Sequence, residues 1–213
     1  MIKMKRLIII LIFLQSSCSS LANNFVSTDA LLTIKNYISG YPDLIISYDD
    51  FMKRDSSFAV IKFGRGPSSI VSLAYIKNNI YEWRSNDGIK IFTKEGAIIK
   101  TVGLKHDMEL NPSCLDQILA VELLEKQSCK LSFYNPDLEK AHASVQLVKK
   151  EDRSISRLGK NIFIKENIVR LNVPSIKWSK ENSFYISDGQ VISSIQHVHP
   201  RLPKMHIEYY FVY

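Results

Sequence analysis

Neither the apolar run from Leu7 to Leu14 nor any later segment of the sequence is long enough to cross a bilayer as a helix, which needs about 20 residues. The chain has no repeat of fixed period and no low-complexity tract. Lysines are scattered rather than clustered, against what a nucleic-acid partner favours. No Gly-x-Ser-x-Gly elbow occurs, and Gly64-Arg65-Gly66-Pro67 lacks the lysine of a phosphate-binding loop, so it is expected to connect strands. Cysteine is scarce, with three in 213 residues.

The start of the chain holds what the rest lacks. Lys3, Lys5 and Arg6 precede an apolar stretch from Leu7 to Leu14, and small polar residues follow. That order is the architecture of a secretory signal. Two cleavage sites compete. Ser17-Cys18 resembles a lipobox, with Gln15 where an aliphatic residue is usual, and predicts a signal of residues 1–17 with acylated Cys18 as the new N-terminus. Ser20-Leu21-Ala22 predicts an ordinary cut and a signal of 1–22. Either leaves a single β-rich periplasmic domain, residues 23–213. Three of the chain's +7 charges belong to the signal, so the mature part is near +4, a modest value that demands no anionic partner.

Residues 27–39 are apolar at helical spacing and stop at Gly40-Tyr41-Pro42, which predicts a short covering helix. A second is expected over 113–126 after Asn111-Pro112. Such a helix would hold the α carbons of Cys114 and Cys129 about 20 Å apart at 1.5 Å per residue, far beyond bridging distance. Two free thiols are therefore expected, with a disulfide only if the helix is broken.

Elsewhere the signal is β. Asn78-Asn79, Asp87-Gly88 and Glu95-Gly96 read as two-residue hairpin loops between short runs rich in β-branched and aromatic residues. That register sets Ala74 opposite Trp83, Trp83 opposite Phe92 and Phe92 opposite Ile99, with Ile76, Tyr81, Lys94 and Ala97 as the next row of one inner face. Trp83 and Phe92 are thus expected in the core rather than as an exposed sugar platform. Tyr75, Glu82, Thr93 and Ile98, with Leu73, Arg84, Ile91 and Lys100, should form the solvated face. Strands resume at 130–134, 143–148, 161–164 and 167–173, then in a hairpin around Asp188-Gly189 and the aromatic run 206–213. The charged residues 149–160 read as a loop.

His197-x-His199, with His206 or His106, is the one candidate zinc set, but no carboxylate fixes it and Pro200 ends the strand. No metal, cofactor or catalytic residue is assigned. Cys114 as a nucleophile is the weaker reading beside a buried structural cysteine.

Two stretches carry a resemblance. Trp83-x-Ser85-x-Asp87-Gly88 runs into Thr93-x-x-Gly96 and Lys100-Thr101-x-Gly103-Leu104, and Asp188-Gly189-x-Val191-x-x-Ser194-x-Gln196 stands near the end. Together they resemble the YjbF/GfcB family of group 4 capsule lipoproteins, with Phe184-Tyr185 where that family has a Tyr-Trp pair. The resemblance implies an antiparallel meander in a curved, partly open barrel or half-barrel. It also implies lipid attachment at Cys18, an outer-membrane position facing the periplasm, and a non-enzymatic part in capsule or exopolysaccharide assembly and export. The partners implied are envelope export proteins or the polymer itself. A carrier holding an acyl chain in a half-barrel cavity is the alternative.

Overall fold

The computed structural model describes residues 28–115 and 126–212. It contains two compact units, Met1–Pro42 and Asp43–Tyr213. Within the first, α1 (Thr28–Ser39) is the helix expected over 27–39. Cys18, both cleavage sites and most of the second expected helix, residues 116–125, lie outside the described residues.

The second unit is an up-and-down antiparallel meander of twelve strands: β1 (Phe58–Phe63), β2 (Ser68–Lys77), β3 (Ile80–Arg84), β4 (Lys90–Lys94), β5 (Ala97–Val102), β6 (Met108–Leu110), β7 (Gln127–Phe133), β8 (Leu138–Arg157), β9 (Lys160–Val173), β10 (Trp178–Ser187), β11 (Gln190–Gln196) and β12 (Met205–Tyr210). Each strand pairs with its neighbours in sequence, and β1 pairs with β12, so the barrel form is present and its ring is closed. Closure leaves no edge strand to pair with other chains.

Four hairpins turn through two residues with positive φ, the geometry that matches strand twist: Asn78-Asn79, Glu95-Gly96, Leu158-Gly159 and Asp188-Gly189. Asp87-Gly88 does not join them. Only Gly88 has positive φ, and β3 and β4 stop at Arg84 and Lys90. Between them Ser85 organises a five-residue loop: its N–H reaches Ile89 O at 3.0 Å, its hydroxyl accepts from Ile89 N–H at 3.0 Å, and it bonds Asp87. This side-chain bonding offers the backbone an alternative to the tight turn.

The wider loop corrects the expected register by one residue, and one residue exchanges the faces of a strand. Trp83 lies opposite Ile91, and Phe92 opposite Glu82 and Lys100. Bulges complete the change, with Ala74 extra in β2 and Ile99 extra in β5. Ile76–Tyr81 and Lys94–Ala97, next to the true two-residue turns, pair as expected. Trp83, Ile91, Thr93 and Ile98 are therefore buried, while Phe92 is only partly so. Such bulges sharpen the local twist that closing a sheet requires.

Residues 149–160 are not a loop. They are the outer half of β8, the turn and the first residue of β9, in the longest hairpin of the barrel. Arg153 pairs across to Glu166 on β9 and, at 3.6 Å, with Glu151 on its own strand. The tip of the hairpin is held by packing. Leu158 joins Ile46, Phe58, Val60, Tyr210 and Phe51 in an apolar cluster outside the β1–β12 seam, which α2 (Tyr48–Met52) also covers. The Arg157 guanidinium sits 4.6 Å above the Tyr210 ring and donates to Ile192 O at 2.8 Å and to Tyr209 O. These carbonyls lie just beyond Ser193–Glu208, where the β11–β12 ladder begins, so the arginine satisfies a seam that the strands leave open.

Cys114 and Cys129 are bridged, with α carbons 5.6 Å apart. The expectation of two free thiols fails because Pro112–Leu115 is a single 3₁₀ turn, with Asn111 Oδ1 accepting from Ser113, and Cys129 already stands on β7. Outward-facing charges such as Arg84–Glu82, Lys100–Glu109 and Arg170–Glu181 surround an apolar interior. That is the inverse of a membrane barrel. Among the described residues no helix is long and apolar enough to cross a membrane.

Candidate functional site

Eight strands already suffice for a barrel whose side chains just fill it, so twelve must flatten or leave a lumen. This barrel flattens. β5 and β11, six places apart around the ring, touch across it. Gln196, 3% exposed, makes the connection. Its Oε1 accepts from Ile98 N–H at 2.9 Å, and its Nε2 donates to Gly96 O at 2.9 Å and to Ser194 Oγ at 2.8 Å. Tyr209 Oη donates to the same Gly96 carbonyl at 2.9 Å. Gly96 also packs on Val191 so closely that a Cβ there would lie 2.4 Å from one Val191 γ carbon.

On one side of this cross-barrel pin the interior is filled. The cavity among Ile98, Met108, Leu110, Val169, Leu171 and Phe184 holds about 20 Å³, room for about one water. On the other side the barrel opens into a mouth of about 250 Å³. Three of the two-residue turns converge on it, bringing Asn79, Glu95, Gly96 and Gly189 with the adjoining Gln190 of β11, while β3 supplies Tyr81 and Trp83, β12 supplies Tyr209, and Phe211 follows just after β12. The aromatic side chains form one stack. Tyr81 and Trp83 lie nearly parallel at 6.2 Å, Phe211 stands edge-on to Tyr81 at 5.9 Å, and Trp83 meets Tyr209 at 5.4 Å. Trp83 and Tyr209 are buried and fixed, the first by Nε1–H donation to Thr93 Oγ1 at 2.9 Å. Burial also holds the Tyr209 phenol protonated far above its ordinary range. Tyr81 and Phe211 are half-exposed and face the opening.

Trp83 is thus core, as expected, and at the same time the floor of a pocket, though its companions are Tyr81 and Phe211 rather than Phe92. No local pattern in the sequence marks Tyr209, Phe211 or Gln196 as site residues. The only signal available was the Asp188–Gln196 and Thr93–Gly96 resemblance, whose residues meet in the pin.

The histidines of the candidate zinc set do not all converge, and only His106 and His199 meet. His199 is buried, stacks on His106 at 4.9 Å and meets Phe133 edge-on at 4.9 Å, and its Nδ1 accepts from Arg201 N–H at 3.0 Å. Burial first, then His106 and Arg201, bring its pKa down to about 4. His197 binds Asn182 through its backbone N–H at 2.8 Å, and His206 lies by Ser193. Among the described residues no three His, Cys, Asp or Glu side chains are grouped to hold a metal. Ser193 Oγ and Glu208 lie 3.2 and 3.9 Å from His206, but both approach the same nitrogen, Nε2. A carboxylate that orients a catalytic imidazole must hold the other nitrogen.

These features define a class, a flattened antiparallel barrel with a filled interior and a preformed aromatic mouth. The chain belongs to the YjbF family, described as group 4 capsule polysaccharide lipoprotein GfcB, whose model matches residues 32–210. The crystal structure of the hypothetical lipoprotein YmcC from Escherichia coli K12 superposes with a TM-score of 0.66 at 19% identity, over 85% of this chain and 95% of that one, and supports the fold. A putative lipoprotein from Parabacteroides distasonis aligns at a TM-score of 0.35 and 10% identity over 79% of this chain and 99% of that one, too remote to carry an argument. No curated protein matches.

Proposed function

We propose that this protein is an outer-membrane lipoprotein, anchored through acylated Cys18 and facing the periplasm, that assists capsule or exopolysaccharide assembly and export without catalysing a reaction. The family match over residues 32–210 carries this reading. The signal segment ending at Ser17-Cys18 supports the anchor. Contact with export proteins or with the polymer is the mode of action that a filled barrel supports. The carrier alternative needs an internal cavity for an acyl chain, and about 20 Å³ beside the pin does not hold one.

Two measurements test the reading. Metabolic labelling with a fatty-acid analogue should mark the native protein and not Cys18→Ala; equal labelling of both, or of neither, refutes the anchor. Deletion of the gene should lower extracellular polysaccharide, and an unchanged yield in a strain shown to make capsule refutes the role.

A further inference from the structure

We propose that the aromatic mouth is a binding site for one neutral pyranose ring of an oligosaccharide chain, an inference that rests on the capsule reading above. Three observations carry it. First, the cavity of about 250 Å³ is small for a drug-sized ligand, which takes roughly 300–1,000 Å³, and suits a single ring with the rest of a chain outside. Secondly, its chemistry is divided as a sugar is divided. Tyr81 and Phe211 line the mouth with aromatic rings that suit the C–H face of a pyranose, while Asn79 and Glu95 on the surrounding turns and Gln190 at the start of β11 carry amide and carboxylate groups of the kind that match hydroxyls.

Thirdly, the site is preformed. Trp83 is held by Thr93, Tyr209 by Gly96 O, and the turns bearing Asn79, Glu95 and Gln190 are short hairpins with fixed positive φ. Little ordering remains for a ligand to impose, which is how a small contact retains measurable affinity. The charge of the lining narrows the ligand further. It includes Glu95 and no lysine, arginine or histidine, so the lining itself offers a uronate or phosphate no cation. The neutral units of a capsule chain are the fitting class, and an acyl chain would leave the polar rim uncompensated.

The test uses the mature chain in phospholipid nanodiscs and saturation-transfer NMR with cellotriose, maltotriose and chitotriose as neutral probes, trigalacturonate as the anionic one and laurate as the apolar one. At least one neutral trisaccharide should bind with a Kd on the order of 1 mM, the range expected of a single-ring contact. Tyr81→Ala and Phe211→Ala should each weaken it tenfold or more, with the thermal midpoint measured alongside. Glu95→Gln gives a variant that keeps the aromatic stack, and it should raise trigalacturonate binding towards that of the neutral probe. No neutral binding up to 20-fold above that Kd, affinity indifferent to the substitutions, or preference for laurate or trigalacturonate overturns the proposal. Complementing the deletion strain separates the two readings: a capsule defect rescued fully by Phe211→Ala overturns the pocket and leaves the capsule role standing.

Discussion

Replacing Gln196 should loosen the barrel more than any other single polar substitution on its inner wall. In Gln196→Ala three hydrogen bonds disappear, each measured at 2.8 or 2.9 Å. The Gly96 carbonyl keeps Tyr209 Oη as a donor, but the Ile98 N–H, beside the β5 bulge, is left buried without an acceptor. An orphaned buried donor costs about 1–3 kcal/mol. Removing most of the side chain from a 3% exposed position adds about 1–2 kcal/mol for lost packing. The sum centres on about 3.5 kcal/mol, which lowers Tm by about 7–14 °C in a domain of this size. Gln196→Met refills the volume without restoring the bonds and should recover about half of the loss. Gln196→Glu sets a carboxylate against the Gly96 carbonyl at neutral pH. Its protonated form can donate there, so the folded-state pKa of the new group is raised, and its contribution is lost as pH rises through that value. Guanidinium unfolding followed by Trp83 and Trp178 fluorescence reads all three. A loss below 1 kcal/mol in Gln196→Ala would refute the claim that this side chain holds the walls together.

Gly96→Ala should cost at least about 2 kcal/mol, because φ is +76° and the new Cβ meets Val191 Cβ at 2.5 Å as well as its γ carbons; Val191→Ala, which keeps that Cβ, should not rescue it in the same unfolding assay. Reducing the Cys114–Cys129 bridge releases a 15-residue loop and should cost about 3 kcal/mol on chain-entropy grounds, with thiol titration of the unfolded protein finding the pair only after reductant. His199 binds fewer protons folded than unfolded between pH 6.5 and about 4, so its stabilising contribution is complete above pH 6.5 and lost as pH falls towards 4. The ceiling is about 3 kcal/mol, reduced by whatever solvent screening reaches the ring, and His199→Gln should flatten the stability profile over that window.

What was legible in the sequence depended on range. Hairpin loops whose conformation is set within two residues, such as Asn78-Asn79 and Glu95-Gly96, could be placed, and the pairs next to them were right. Asp87-Gly88 failed because Ser85, two positions before it, captures the loop through its hydroxyl, and the choice between those two geometries depends on what the next strands must bury. The error then spread. Ala74 and Ile99 are extra residues on their strands, and no local pattern marks a bulge whose purpose is closure around a ring. The stretch 149–160 misled in a different way. Its charges suggested solvent, but Arg157 spends its guanidinium on two backbone carbonyls and a tyrosine face, contacts separated from it by 35 residues or more. The cysteine pair failed for a local reason, since Asn111-Pro112 begins a turn of 3₁₀ helix as readily as an α-helix.

The position of the pin decides what kind of site this fold can offer. A twelve-stranded ring left round would enclose a lumen, and a lumen suits a carried molecule. Here Gln196, Gly96 and Val191 bring opposite walls together, and the side chains beyond them fill the space to about one water. Among the described residues, one volume beside that collapse is the mouth floored by Trp83 and Tyr209. The same hydrogen bonds that remove the interior as a container thereby hold Gly96 and Tyr209 in the wall of the mouth. Stability and recognition are coupled through them. A substitution at Gln196 mild enough to leave the barrel folded should still move the Gly96 carbonyl and displace Tyr209, so affinity at the mouth should fall before the fold does.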